Sequence, residues 1–248
     1  MATLKGKFFR GSVGNTVMKK YRGKQVLSIM PHFMMEHMTE GSKKSSKTFG
    51  KASSLAASVR LSLANIITPN YDGTMVYRLN TDVLSTLNLA KNAADQTYHY
   101  TGDSFKNLMG FEFNADSVMR NYFYAVPKMI VDGNVLQVNF PEMSVPEQLK
   151  FPNQAKVSEG WCRLLINATM IDLASFNAEI CTPQFMDIPY VFPTSVMPEH
   201  SFEFMVQPGK LCVVAFSLQY FTQTFAGPFF LNSKQLNPSA ILYAALIP

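Results

Sequence analysis

The sequence predicts an α+β protein that is mainly β, with a basic hairpin and a helical hairpin followed by an antiparallel β-sandwich of immunoglobulin-like or jelly-roll type. Two patterns support this fold class. Apolar residues recur every three or four positions over 48–91, which is typical of amphipathic helices. After residue 110, short runs of β-forming residues alternate with Pro-containing breaks, as in strands joined by turns. We therefore expect a basic arm over 1–47, a helical hairpin over 48–100 and a sandwich over 105–248.

The basic arm is predicted to contain one β-hairpin. Residues 16–21 and 24–29 are rich in β-formers, and they flank Arg22 and Gly23, where glycine supplies the positive φ of a tight turn. Pro31 ends the hairpin. The Gly-, Ser- and Lys-rich segment 41–47 is expected to be a flexible linker.

Two helices are expected next. The first carries apolar residues spaced by three or four from Ala52 to Ile66, begins at an N-cap among Ser45, Ser46 and Thr48, and ends before Pro69. The second carries a similar stripe from Val76 to Ala90. A short turn joins them, which favours a helical hairpin.

The remainder of the chain has the pattern of strands. Residues 128–140 contain two apolar runs around Asp-Gly-Asn, which predicts a hairpin. Further apolar runs predict five more strands, at 162–171, 177–182, 202–206, 211–223 and 239–247. Seven or so short strands with no helical pattern between them favour two packed antiparallel sheets.

Charge is scarce and unevenly distributed. Only 16% of the residues are charged, which indicates that much of the surface is neutral or apolar and has a protein partner. Residues 1–60 contain 12 Lys or Arg and two acids, whereas the remainder contains 10 and 15. A basic arm on an acidic body predicts contact with a polyanion or with a neighbouring copy, and the alternative is a solvated tail. The predicted contact residues are Lys5, Lys7, Arg10, Lys19, Lys20, Arg22, Lys24, Lys43, Lys44 and Lys47.

The lack of a secretory-signal pattern and the arrangement of the cysteines predict a reducing compartment. Glycines and polar residues interrupt the N-terminus, so we expect no secretory signal. The longest apolar run, 211–221, covers about half a bilayer, so we expect no membrane span. Cys162, Cys181 and Cys212 are odd in number and far apart, which favours free thiols. We expect synthesis in the cytoplasm, with later incorporation into a particle or virion as one outcome.

The start of the chain contains an ordered set of short motifs. They are Gly-Ser-Val-Gly-Asn-Thr-Val at 11–17, Arg-Gly-Lys-Gln-Val at 22–26, Pro31, and Lys-Lys-Ser-Ser-Lys at 43–47 before an Ala-rich helix. In this order they resemble the start of a family of uncharacterised bacterial proteins known only as a domain of unknown function. The resemblance covers about residues 5–65, and this chain inserts residues 32–42. The resemblance implies a basic hairpin, a Lys-Ser linker, a helical stretch and an immunoglobulin-like sandwich. It implies no catalytic residue, because that family has no established activity.

No catalytic, cofactor or metal site is predicted. His32 and His37 flank Glu36, but histidines five residues apart lie about 140° apart on a helix and do not converge on one ion. Phosphate-loop and nucleophile-elbow motifs are absent. The Met- and Phe-rich segment instead predicts an apolar docking patch that covers either another subunit or this chain's own sheet. Its members are Met30, Phe33, Met34, Met35 and Met38.

Three functions remain open. We expect first a non-enzymatic structural subunit of a virion, sheath or appendage, whose sandwich associates with further copies while the basic arm contacts neighbours. The alternative is a nucleic-acid-binding protein that uses the arm to neutralise phosphates. An enzyme or carrier of a small ligand is the third, and it would require a pocket with convergent polar groups.

Overall fold

The computed structural model describes residues 2–21, 23–30, 38–92, 94–157 and 160–248. The chain divides into two compact units. We call Met1–Ser46 the N-terminal unit and Lys47–Pro248 the C-terminal unit.

The N-terminal unit contains a four-stranded antiparallel sheet in the order β1-β2-β3-β4. The strands are β1 (Thr3–Lys5), β2 (Phe8–Val13), β3 (Thr16–Tyr21) and β4 (Lys24–Ile29). The predicted hairpin therefore has the predicted bounds, and two further strands precede it. They escape sequence analysis because β2 contains Arg10 and Gly11, which weaken its β pattern, and Gly11 has a φ of 117°.

Helix α1 runs from Glu40 to Ser62, so the prediction of a flexible linker over 41–47 is wrong. The side-chain oxygen of Thr39 accepts a hydrogen bond of 3.1 Å from the backbone N–H of Ser42. This contact satisfies one of the unpaired N–H groups of the first turn. The cap therefore lies six residues before the first predicted cap, Ser45, and the Lys-Ser segment forms an exposed first part of the same helix, before its buried stripe begins at Thr48.

The predicted helical hairpin is present, and all of it except the start of α1 belongs to the C-terminal unit. Helix α1 is followed by α2 (Ala64–Ile67) and α3 (Met75–Ala90), close to the predicted bounds. The stripes predicted from spacing are buried: Leu55 and Val59 in α1, and Leu79, Val83 and Leu87 in α3, have no exposed surface.

Eleven strands follow among the residues described. They are β5 (Lys128–Asp132), β6 (Val135–Phe140), β7 (Met143–Val145), β8 (Trp161–Ile171), β9 (Ala178–Ile180), β10 (Gln184–Pro189), β11 (Ser195–Met197), β12 (His200–Met205), β13 (Leu211–Thr224), β14 (Gly227–Phe230) and β15 (Ser239–Leu246). The shorter helical pieces are α4 (Asn153–Val157) and two 3-10 helices, Gly102–Leu108 and Met119–Asn121. The seven predicted strands are all present, whereas β7, β10, β11 and β14 are additional.

All pairings in this unit are antiparallel. The centre is the long ladder between β8 and β13, in which Trp161 lies opposite Phe221 and Ile171 lies opposite Leu211. Strands β9 and β10 pair with β8, and strands β14 and β15 pair with β13. A three-stranded sheet, β12-β6-β5, and a two-stranded sheet, β11-β7, complete the β structure.

Two hydrophobic cores use the two faces of the six-stranded sheet. On one face, residues such as Leu164 and Leu218 pack with β6 and β12 in a sandwich-like arrangement. On the other face, Val213 and Ala215 pack with Leu55 and Leu79 of the helices. The helical hairpin is therefore a third layer on the sheet, and residues 48–100 share a compact unit with residues 105–248. The protein is α+β and mainly β.

Candidate interaction surface

The N-terminal sheet has no hydrophobic core of its own among the residues described. None of residues 2–21 and 23–30 is buried. Large apolar side chains are instead exposed along the strands: Leu4, Phe9, Val13, Tyr21, Leu27, Ile29 and, just after β4, Met30. A sheet of this size normally needs one covered hydrophobic face to be stable in water. The unit therefore exposes large apolar side chains on a sheet in which no described residue is buried.

Register places three of the exposed apolar residues on one face of the sheet. Val13 lies opposite Thr16, and Thr16 lies opposite Ile29. In the next row, Gly11 lies opposite Met18, and Met18 lies opposite Leu27. Val13, Leu27 and Ile29 are 56%, 59% and 82% exposed. We call Val13, Leu27 and Ile29, together with the half-buried Met18, the apolar face.

The opposite face carries positive charge. Tyr21 lies opposite Lys24, and Lys19 lies opposite Val26. Because successive side chains of a strand point to opposite faces, these four side chains lie on the face opposite the apolar face. Lys20 alternates with Lys19 and so lies on the side of Met18, with its ammonium group 4.8 Å from the centroid of the Phe8 ring. Such a contact is weakly favourable at an exposed site and keeps the lysine at the sheet surface.

The side chain of Gln25 connects β4 to β2. Its Oε1 accepts a hydrogen bond of 2.8 Å from the backbone N–H of Phe9, and its Nε2 donates to the Phe9 carbonyl at 3.0 Å. The ladder between β2 and β3 covers only 11–13 and 16–18, so the start of β2 leaves β3 at this point. The Gln25 amide therefore takes the place of a strand neighbour for Phe9.

Nine of the ten predicted basic contact residues lie within the described residues, and all nine are exposed. Arg22 is outside the described residues. Lys43, Lys44 and Lys47 lie on helix α1 and not on a linker, and Lys43 forms an ion pair of 3.1 Å with Glu40. Lys43 and Lys47 are one turn apart, so they project from the same side of the helix.

The predicted apolar docking patch is described only in part. Met30 is 39% exposed and directly follows the apolar face. Met38 is half-buried and precedes α1. Phe33, Met34 and Met35 lie outside the described residues, as do His32, Glu36 and His37. The exposed apolar residues of β2 and β4 were not predicted, although Val26 and Leu27 side by side indicate apolar residues on both faces of one strand.

Titratable groups with shifted pKa values lie in the C-terminal unit. Burial raises the pKa of Asp72, but hydrogen bonds from Thr74, Ala115 and Arg78 hold it well below its usual range.

Burial raises the pKa of Glu112 to about 7, although both its oxygens accept from the Met119 N–H at 3.0 and 3.1 Å. Because Arg78 also donates to the Glu112 carbonyl at 2.8 Å, the arrangement joins α3 to the segment before β5 and suits a structural role.

The three cysteines are free thiols. Cys162 and Cys212 are buried, and burial raises the pKa of each thiol, which keeps both protonated at neutral pH.

Among the described residues, no group of three or more His, Cys, Asp or Glu is placed to hold a metal ion. Within the same residues, no helix is long and apolar enough to cross a membrane.

Comparison with known proteins yields no relative: no family model, curated protein or solved structure matches this chain. Functional inference therefore depends on the surfaces themselves.

Proposed function

We propose that this protein is a non-enzymatic structural subunit that associates with further copies of itself, in a virion-, sheath- or appendage-like assembly. In this proposal the N-terminal unit docks on neighbouring copies. The observation that carries it is a four-stranded sheet in which none of the described residues is buried. Such a sheet gains its missing hydrophobic cover when it contacts another surface.

The apolar face supplies the hydrophobic part of the contact. Burying Val13, Leu27 and Ile29 removes three largely exposed aliphatic side chains from water. Each contributes about 1–2 kcal/mol when it passes from its present exposure to full burial. Together they contribute about 3–6 kcal/mol, which offsets only the lower part of the roughly 4–15 kcal/mol lost as rotational and translational freedom, so the contact also requires further interactions such as charge attraction.

The charge distribution supports a neighbouring copy as the partner. Residues 1–60 are strongly basic, and the remainder of the chain has more acidic than basic residues. Unlike charges on two parts of the same sequence attract in a head-to-tail contact between copies, and such contacts generate rings or filaments.

The mass of the purified full chain tests this proposal. We expect light scattering at micromolar concentration to give a mass well above the 27.8 kDa of one chain. The triple substitution Val13→Ser, Leu27→Ser and Ile29→Ser is expected to shift the protein to monomers, because it removes the apolar face and leaves the C-terminal cores intact. A matched control replaces Leu61, Tyr77 and Leu89 by Ser, three similarly exposed residues on helices α1 and α3.

The control variant is expected to retain the mass of the wild type. A wild-type protein that is monomeric under these conditions contradicts the proposal. Equal loss of assembly in both triple variants also contradicts it, because the N-terminal sheet would then have no special role.

Nucleic-acid binding is the second candidate, and the exposed Lys19, Tyr21 and Lys24 on one face of the sheet favour it. Lysines neutralise phosphates and tyrosine stacks on bases. Fluorescence anisotropy with a labelled single-stranded oligonucleotide tests it: binding should weaken steeply as salt increases, and Lys19→Gln with Lys24→Gln should reduce the salt slope. Absence of binding at low salt dismisses this candidate.

We further propose that the chain is made in a reducing cytoplasm, which its three free thiols favour. Membership of the domain-of-unknown-function family remains a proposal based on the N-terminal motifs.

A further inference from the structure

The outer face of the six-stranded sheet has two halves with different surroundings. Towards Ile171 and Leu211, the side chains of this face are buried in the core shared with the helices. Towards Trp161, the same face carries partly exposed residues, of which Phe185 is 52% and Phe230 is 38% exposed. The sheet therefore extends beyond the helical layer and presents this part of its face to solvent.

Three aromatic residues form a row across that part of the face. Register places Trp161 of β8 opposite Phe221 of β13, and Phe221 opposite Phe230 of β14. The Trp161 and Phe221 rings are stacked, with centroids 5.2 Å apart and planes 10° apart. Phe230 continues the row, its ring centroid 5.3 Å from that of Phe221.

Trp161 also lines a cavity of about 470 Å3, together with Gly160, Asp187, Pro189 and Tyr190. This volume lies within the range of about 300–1,000 Å3 that is typical of small-molecule sites. Among the described residues, the lining is mostly apolar and contains one carboxylate, that of Asp187. The cavity therefore combines an aromatic wall with a strong hydrogen-bond acceptor.

That carboxylate is held in a fixed orientation. Arg163 of β8 lies opposite Asp187 of β10, and its Nε and Nη2 each donate a hydrogen bond of 2.7 Å to one carboxylate oxygen. The guanidinium lies 4.1 Å from the centroid of the Phe185 ring, which fixes the arginine in turn. The two hydrogen bonds from Arg163 occupy one acceptor site on each Asp187 oxygen, so each oxygen retains another acceptor site for a ligand.

We propose that this surface is a binding site for a neutral saccharide, with a pyranose ring in the cavity against Trp161 and two adjacent hydroxyl groups donating to Asp187. The C–H groups on one face of a pyranose are weakly positive and match the electron-rich face of an aromatic ring. Its hydroxyl groups need partners when they leave water, and the free acceptor sites of Asp187 supply them.

The charge of the surface selects against a polyanion. Strands β8, β10, β13 and β14 contain one basic residue, Arg163, and Asp187 neutralises it. A single-stranded nucleic acid also stacks on aromatic rings, but it needs a groove lined with cations along its backbone. A neutral ligand with many hydroxyl groups fits this surface better.

Trp161 is the single tryptophan of the chain, so its fluorescence reports directly on this site. We would titrate the full-length protein with soluble hexasaccharides of glucose, N-acetylglucosamine and xylose in separate experiments. At least one of them should produce a saturable change in emission. Asp187→Asn should weaken that binding tenfold or more, because the substitution disrupts the fork that orients the acceptor.

A matched control is Glu179→Gln, which neutralises another exposed carboxylate that pairs with a cation, Lys210, in the same unit. It should bind the sugar as the wild type does. Exposed ion pairs contribute little to stability, so both variants are expected to fold. Trp161→Phe, measured by calorimetry, provides a second variant, and it should weaken binding because the smaller ring offers less stacking surface.

Three outcomes would overturn the proposal. One is the absence of any change in emission with all three sugars. Another is unchanged sugar affinity in Asp187→Asn. The last is a change in emission that depends on protein concentration and not on sugar, which would identify this face as a contact between copies. Loss of assembly in the N-terminal triple variant would leave the sugar titration unaffected, so the two proposals fail separately.

Discussion

The two units of this protein obtain their order in different ways. The C-terminal unit buries two hydrophobic clusters against opposite faces of one sheet. The N-terminal unit connects its four strands by short turns and side-chain contacts, and none of its described residues over 2–30 is buried. Local strand pairing is therefore sufficient to define strands, whereas burial provides most of the stability of a domain.

The largest difference in stability between the two units is expected when one apolar side chain in each is replaced by Ala. Phe140 is 1% exposed, and its ring contacts those of Phe123, Phe202 and Phe216. Phe140→Ala should therefore lower the free energy of unfolding by about 3–5 kcal/mol. Ile29→Ala removes apolar atoms that are already in water and should change the same quantity by less than about 0.5 kcal/mol in the monomer.

Chemical denaturation of the full chain, followed by circular dichroism in dilute solution, measures both effects. A loss of several kcal/mol from Ile29→Ala in the monomer would show that the N-terminal sheet has a core after all.

The stability of the folded protein is also expected to depend on pH through the carboxyl group of Glu112. Burial raises the pKa of Glu112 to about 7 in the folded protein, from its ordinary value of 4.5. The folded state therefore holds this proton more tightly than the unfolded state, and its stability falls as pH rises from about 4.5 to about 7. We expect a loss of about 1–2 kcal/mol, because water partly screens the half-buried carboxylate.

Urea denaturation at pH 5 and pH 8 measures this loss, and Glu112→Gln should abolish it. Glu142→Gln, at an exposed carboxylate, serves as the control and should leave the loss unchanged. If the pH dependence persists in Glu112→Gln, another group is responsible.

The N-terminal sheet should respond locally to loss of the Gln25 side chain. Gln25→Ala removes both hydrogen bonds to the Phe9 backbone, and we expect the start of β2 to open more readily by about 1–2 kcal/mol. Hydrogen exchange of the Phe9 amide measures this opening, which should become roughly tenfold more frequent. Lys7→Gln in the neighbouring turn is the control, and equal acceleration in that variant would contradict the role of Gln25.

The smallest effect is expected at the start of α1. Thr39→Ala removes the acceptor for the Ser42 N–H, and caps of this type contribute about 1 kcal/mol. The first turn should fray while the buried part of the helix remains. Amide exchange of Ser42 and Lys43 measures the effect, with Thr81→Ala on the exposed side of α3 as the control. Unchanged exchange at Ser42 would show that Thr39 does not cap the helix.

Local patterns predicted many elements of both units. The hairpin of β3 and β4 has the predicted bounds because Gly23, with a φ of 80°, and two runs of β-formers act over a few residues. Helix α3 follows from the spacing of Leu79, Val83 and Leu87. The exposed lysines of the N-terminal sheet were predicted from charge alone, since charged side chains rarely leave water.

Other elements were beyond sequence analysis. The start of α1 was placed too late because a Lys-Ser segment resembles a linker until the Thr39 cap is known. Strand β14 was missed because Gly227 and Pro228 are typical of turns, and only its pairing with β13 makes it a strand. The site at Trp161 was missed because Trp161 and Phe221 are 60 positions apart in the sequence and meet only through the register of β8 and β13.

The amino-acid sequence by itself determined the strand and helix types, the basic N-terminus and the apolar stripes, because these depend on neighbours within one or two turns of chain. Tertiary structure alone decided which stripes are covered. The outer face of β8 continues from Ile171, under the helices, to Trp161, at the surface, with the same alternation of side chains. Periodicity assigns residues to a face, whereas burial of that face depends on distant segments that pack against it.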